Sequence, residues 1–436
     1  YRAAWGQTVT SFPFADGLEG TDAHWALDRP WAVGSDTART GSHCLADSPG
    51  GVYANNTDAS ATLRVVLNGI NRPLLSFWQL YSLEANRDFG LVEVSTDDGS
   101  SWTRLSVVTG YGGTNWQSQQ IDLTPFAGNT ALIRFRLKSN GSAQDDGWYI
   151  DDVSITDNAR VAGYPFYDRM DSPGSATNWL NAAAWGWVGG SAQTNAGGSW
   201  QCRIGDDAYR PGGSPDYSQC LLTLAGTLNL RLAVNPRLSF WWRAGGMYNN
   251  TLLAQMSRDG GKNWSTVWSW NSYRGQSAAW NRVQVDLASY LGCTNAALRF
   301  LAFNRNGDSV NLDFQVDEVL VDEAPADVAY AAGPGPDPRH SAQISWTRST
   351  ATDFASYTVY RSTSPGVTLS STLLTNITSQ NVTNFIDPGL EVCGQTYYYR
   401  VMVWDISGLH TWGTSDATYR AAWGQTVTSF PFADGL

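Results

Sequence analysis

Charge is scarce in this chain: Asp, Glu, Lys and Arg make up only 15% of 436 residues, and the formal net charge is −11. Nucleic acid is excluded as a partner, because phosphates demand clustered Lys and Arg and no such cluster stands out. No run of 18 apolar residues occurs, so no membrane span is predicted in this segment, and no charged, apolar, small-residue leader opens it. Five cysteines, Cys44, Cys202, Cys220, Cys293 and Cys393, fit no CxxC metal spacing. The HExxH, GxSxG, Walker and GxGxxG patterns are all missing, and His24, His43, His340 and His410 share no recurring spacing. Catalysis has no footing in the sequence, and the chain reads as a non-enzyme.

Aromatics and glycine are abundant instead, with 21 Trp and 43 Gly. That profile belongs to β-rich domains with turn-dense surfaces. The first 18 residues, YRAAWGQTVTSFPFADGL, recur letter for letter as the last 18, which sets a period of 418 residues. A unit this long exceeds a single core and implies about three domains. A weaker repeat lies inside it. LSFW at Phe77 returns at Phe240, the octet Ser95 to Trp102 returns as Ser257 to Trp264, and IDDV at Asp151 returns as VDEV at Asp317. Runs such as LVEVS and ALIRFRLKS alternate apolar and polar residues between Gly, Asn, Asp and Pro clusters, the period-two signature of antiparallel sandwiches.

The succession FADG, LSFW and GWYIDDV resembles the jelly-roll sandwiches of MAM domains and of accessory domains in immune-inhibitor-A-type secreted bacterial proteins. The second copy echoes it with FYDR, LSFW and FQVDEV. From about Ala324, a Pro- and Gly-rich lead-in gives way to AQISW, SYTVYRS and TYYYRVMVWD, which resembles a fibronectin type III domain. Trp346 holds that family's core position and Tyr397 its tyrosine-corner position. The expected architecture is therefore all-β: two jelly-roll sandwiches over 12–158 and 159–324, then a fibronectin-like sandwich over 325–422. Residues 1–11 end a preceding fibronectin-like domain and its linker, and 423–436 form a linker and start the next repeat.

The resemblance to MAM-like domains implies a structural calcium ion held by Asp16, Asp151 and Asp152 in the first sandwich and by Asp168, Asp317 and Glu318 in the second. Calcium needs six to eight oxygens, and the chain departs from the family pattern at Ala15 and Tyr167, where an acidic residue is common. The alternative is that these carboxylates accept backbone N–H groups at strand ends. Two octets, STDDGSSW and SRDGGKNW, match the Asp-box pattern S-x-D-x-G-x-x-W, a hairpin device with Asp taking turn N–H bonds and Gly a positive φ. Tryptophans such as Trp25, Trp31, Trp179, Trp185 and Trp187 fill sandwich cores or domain contacts, or else stack on sugar rings. Trp31 and Trp185 are the candidate carbohydrate contacts. Cys202 and Cys220 bracket a Gly-, Pro- and Asp-rich loop and are the candidate disulfide, with buried free thiols as the alternative.

On this reading the chain is a repeating link of an extracellular or cell-surface filament or stalk, bacterial in origin, whose partners are neighbouring copies of itself. The alternatives are carbohydrate-binding adhesin modules, with glycans as partners, or accessory domains of a secreted hydrolase.

Overall fold

The computed structural model describes residues 6–423 apart from positions 21, 86, 159, 172, 183–184, 190–197, 205–219, 246–249, 272–276 and 305–311. Eleven strands build the first sandwich: β1 (Phe14–Asp16), β2 (Trp25–Leu27), β3 (Ala32–Gly34), β4 (Cys44–Ala46), β5 (Asp58–Val66), β6 (Pro73–Ser82), β7 (Phe89–Ser95), β8 (Thr103–Val108), β9 (Gln117–Asp122), β10 (Thr130–Lys138) and β11 (Gly147–Asp157). One antiparallel sheet runs β3-β4-β11-β6-β9, with β1 also on β11, and the other runs β2-β5-β10-β7-β8. Alternation decides which side faces in. On β10, Ile133, Phe135 and Leu137 are buried while Arg134 and Arg136 between them are not. Phe77 of one sheet meets Phe135 of the other edge to face at 4.9 Å between ring centres, and Trp148 closes on Phe135 at 5.7 Å. Burying side chains of this size contributes about 1.5–3 kcal/mol each.

The second sandwich repeats the plan strand for strand. Phe166–Asp168 takes the β1 place and Leu312–Glu323 the β11 place, and both sheets keep the same order. Phe240 and Phe300 reproduce the central ring pair at 5.0 Å. A β-bulge interrupts β11 between Asp151 and Ser154, with Asp152 at φ 49, and Glu318 at φ 47 marks the equivalent place in the second sandwich. The third sandwich pairs a sheet of Tyr330–Pro334, Ala342–Trp346 and Asn384–Asp387 with one built on Phe354–Ser362 and Thr396–Asp405. The Tyr397 hydroxyl accepts the N–H groups of Glu391 at 3.1 Å and Val392 at 3.2 Å.

The chain divides into two compact units: Tyr1–Leu232, Leu238–Val285 and Ser289–Val321 form one, while Ala233–Arg237, Asp286–Ala288 and Asp322–Leu436 form the other. Within the first unit a seam joins the two jelly-roll-like bodies. Leu74 packs with Leu180 and Ala225, and the Ala225 carbonyl accepts from Asn158 Nδ2 at 2.7 Å and Arg72 Nη1 at 3.3 Å. The third sandwich is closed by its last strand. Tyr419 pairs with Tyr397 and Arg420 with Thr396, and Ala421 is buried in that core.

Candidate functional site

Alternation on β6 has a consequence at Trp78. Phe77 and Gln79 point into the core, so Trp78 and Leu80 project from the outer face of their sheet, where both are half-buried. Register brings Ser118 of β9 opposite Trp78 and Gln120 opposite Ser76, and both polar side chains are exposed. Trp116, just before β9, packs with Leu80 against Cys44, Ala46 and Tyr149 on this same face. The Tyr149 hydroxyl donates to Asp146 at 3.1 Å. The outcome is a shallow face that mixes aromatic rings with hydroxyl, amide and carboxylate groups.

Over one edge of this face lies the loop between β3 and β4, and three carboxylates hold it. Asp151 accepts the N–H groups of Arg39 at 2.7 Å and Thr40 at 3.2 Å; Asp152 accepts the Thr40 hydroxyl at 2.6 Å and pairs with the Arg39 guanidinium at 3.3 Å. Glu19 accepts the N–H groups of Ser42 at 2.8 Å and His43 at 2.7 Å, bonds that hold its carboxyl down at about 2, the His43 N–H first among them. Thus fixed, the Arg39 guanidinium stands 4.0 Å from the centre of the Trp78 ring. Burial pushes the Asp151 carboxyl above the ordinary range and the Cys44 thiol up to about 12, with Asp151 and Asp36 adding to the thiol's shift.

The second sandwich carries the counterpart. Trp241 follows the buried Phe240 as Trp78 follows Phe77, and Trp280 occupies the place of Trp116. Arg243 stands 4.9 Å from the Trp280 ring and is fixed by its bond to Gln315 at 3.0 Å. Two sandwiches therefore present the same pair of outward tryptophans, each pair with an arginine stacked on one ring.

The sequence-predicted site residues fall differently. Trp31 is only 2% exposed and donates its indole N–H to the Ala59 carbonyl at 3.0 Å. It belongs to the core, which corrects its reading as a sugar contact. The side chains of Trp185, Cys202 and Cys220 lie outside the described residues; their backbones place Trp185 opposite Cys202 in one sheet and Cys220 in the other. Asp16 accepts Leu18 N–H at 2.9 Å and the Trp25 indole N–H at 3.0 Å. Asp168 does the same for Met170 at 2.8 Å and Trp179 at 2.7 Å, and also takes Ser175 Oγ and Asn178 Nδ2. The Asp317 carboxylate accepts the N–H of Glu318 at 2.8 Å, as Asp151 does that of Asp152 at 2.7 Å. Calcium needs carboxylate oxygens converging on one point. Here Asp16, Asp151, Asp152 and Asp168 are turned to N–H and O–H donors, and among the described residues no group of three or more His, Cys, Asp or Glu gathers as a metal cluster. In this arrangement they do not fit the ion.

Comparison with known proteins gives partial likenesses. No family model matches the chain. It is 30% identical over 160 residues to bacillopeptidase F of Bacillus subtilis, a stretch that makes up 36% of this chain and 11% of that protein. Among solved structures, it is similar to the N-terminal CBM22 tandem domain of Xyn10C from Paenibacillus barcinonensis, at 15% identity over 74% of this chain and all of the other, with a TM-score of 0.25. It is also similar to the K1 cleaved adhesin domain of Lys-gingipain from Porphyromonas gingivalis, at 19% identity over 34% of this chain and 90% of the other, with a TM-score of 0.24.

Proposed function

We propose that the chain is a non-catalytic module of a secreted or surface protein, and that its two jelly-roll-like sandwiches bind carbohydrate on their outer faces. One observation carries this reading: Trp78 with Trp116, and Trp241 with Trp280, lie outward at equivalent places, each pair beside a stacked arginine. Flat apolar rings suit the faces of pyranoses, while Arg39, Ser118 and Gln120 supply donors and acceptors for hydroxyl groups. A glycan array probed with the chain tests it. Binding should fall at least about tenfold in Trp116→Ala and Trp280→Ala. Silence across the array, or unchanged binding in the double variant, overturns the reading.

A second reading, as a link of a tandem filament, has its own observation. The 18-residue segment present at both ends is described in complementary parts, its first five residues as 419–423 and the remaining thirteen as 6–18. Tyr419–Ala422 bind the third sandwich, with Ala422 N–H on the Pro338 carbonyl at 2.9 Å, and from Gln7 onward the same sequence binds the first sandwich, with Gln7 N–H on the Ala23 carbonyl at 2.6 Å. Only Trp423 and Gly6 fall between these anchors. The segment thus has the form of a joint between consecutive copies. The mass of the native polypeptide tests it: a multiple of the 418-residue period supports the filament link, and a single period removes it.

A further inference from the structure

Both Asp boxes close in the same way. Ser95 Oγ donates to Asp97 at 2.7 Å and accepts Gly99 N–H at 2.9 Å, and Ser257 repeats both bonds with Asp259 and Gly261 at 2.7 and 2.9 Å. Beneath each turn a tryptophan carries an arginine, Arg134 at 3.7 Å from the Trp102 ring centre and Arg299 at 4.3 Å from that of Trp264. Their surroundings differ. Gly260 and Gly261 are buried, because the second box rests on the first sandwich: a Cβ on Gly261 would lie 3.5 Å from Thr124 Cγ2, and one on Gly260 would lie 3.9 Å from Arg72 Cδ. The equivalent residues of the first box are open, with Gly99 half-buried and the Asp98 side chain 41% exposed beside Arg64.

Chain entry explains why the second box is covered. The segment leading into the second sandwich bridges Val161 to Thr227, two residues beyond Ala225, so the domain upstream arrives on the box face. The segment leading into the first sandwich bridges Val9 to Val65, with Val9 N–H on the Arg64 carbonyl at 2.9 Å. Arg64 is the counterpart of Ala225, since it follows Leu63 opposite Trp25 as Ala225 follows Leu224 opposite Trp179. Whatever domain precedes Gln7 is therefore delivered to the Asp98 face. The sequence of residues 1–4 is that of Tyr419–Ala422, which complete the third sandwich.

From this continuity we infer that the Asp-box face of the first sandwich, centred on Arg64 and Asp98, is the docking surface for the third sandwich of a preceding copy of the chain. The inference rests on the tandem reading. Repeated along an array, the same face would be used at the sandwich seam and at the link joint, turning two structural hairpins into one type of coupling.

Thiol labelling tests it. Asp98→Cys and Arg64→Cys are placed singly in the 436-residue chain and in the same chain lengthened upstream by residues 322–418 of another copy. Modification by a maleimide, read by peptide mass, should be at least about fivefold slower in the lengthened chain at both positions. Ser100→Cys, the counterpart of the exposed Lys262, should label equally in the two chains. Equal rates at positions 98 and 64 overturn the docking surface, as does equal slowing at position 100. The tandem reading stands or falls separately on the native polypeptide mass, since the lengthened chain is joined by design.

Discussion

The indole N–H of Trp25 ends on an Asp16 carboxylate oxygen at 3.0 Å, nine residues away across the first turn of the sandwich. Trp179 and Asp168 repeat the pair at 2.7 Å. In both, the strand's last carboxylate satisfies a tryptophan that is 5% or less exposed, so the polar end of a buried ring has its partner.

Removing that partner should be costly. Asp168→Ala strands the Trp179 indole N–H together with donors from Met170, Ser175 and Asn178, a loss of about 2–4 kcal/mol. Asp16→Ala should lose about 1–3 kcal/mol. Chemical denaturation measures both. Because these carboxylates are engaged by N–H donors, chelation with EDTA should leave the wild-type melting temperature unchanged, and a rise on adding calcium would contradict the hydrogen-bonded role.

Asp47 sets a pH dependence. It is buried, one of its oxygens has no partner, and burial pushes its carboxyl up to about 7. The folded state then holds a proton that the unfolded chain releases near pH 4, so this group's contribution is greatest below about pH 4 and declines as pH rises towards 7. The decline is bounded at about 4 kcal/mol. Asp405, pushed by burial up to about 6, acts with the same sign. Denaturation midpoints of Asp47→Asn should vary less between pH 4 and 8 than those of the wild type.

Tyr397→Phe removes the acceptor for Glu391 and Val392 N–H groups without changing ring volume. A loss of about 1–3 kcal/mol is expected. Amide exchange should quicken in the third sandwich and stay unchanged in the first.

Cys44 should resist iodoacetamide in the folded protein at pH 8, since its thiol is buried and pushed up to about 12. Cys393, half-buried, should react before Cys44 or Cys293. Peptide mapping after timed quenching ranks the three.

Much of the architecture was legible in residue order. Alternation in ALIRFRLKS foretold which side of β10 is buried, and the paired motifs at 77 and 240, 95 and 257, and 151 and 317 foretold two bodies of one topology. The tryptophans were harder to place. Composition alone does not say which faces out: Trp31, read as core or as sugar contact, lies in the core, while Trp78 projects from its sheet. A signal was available: Phe77 and Trp78 are adjacent on one strand, so one of them has to leave the core. For Asp151 and Asp152 the acceptance of backbone N–H groups was one of the two roles legible in the sequence, but which donors they take was not. Where a carboxylate points at a bulge depends on the loop folded over it, and residues 39 and 40 lie more than a hundred positions away in the chain.

The stretch shared by both ends meets the third sandwich through Tyr419–Ala422 and the first sandwich from Gln7 onward. If copies are joined in tandem as proposed, crossover anywhere inside it would regenerate both parts intact. Such exchange would add or delete whole periods and never a fraction of a fold.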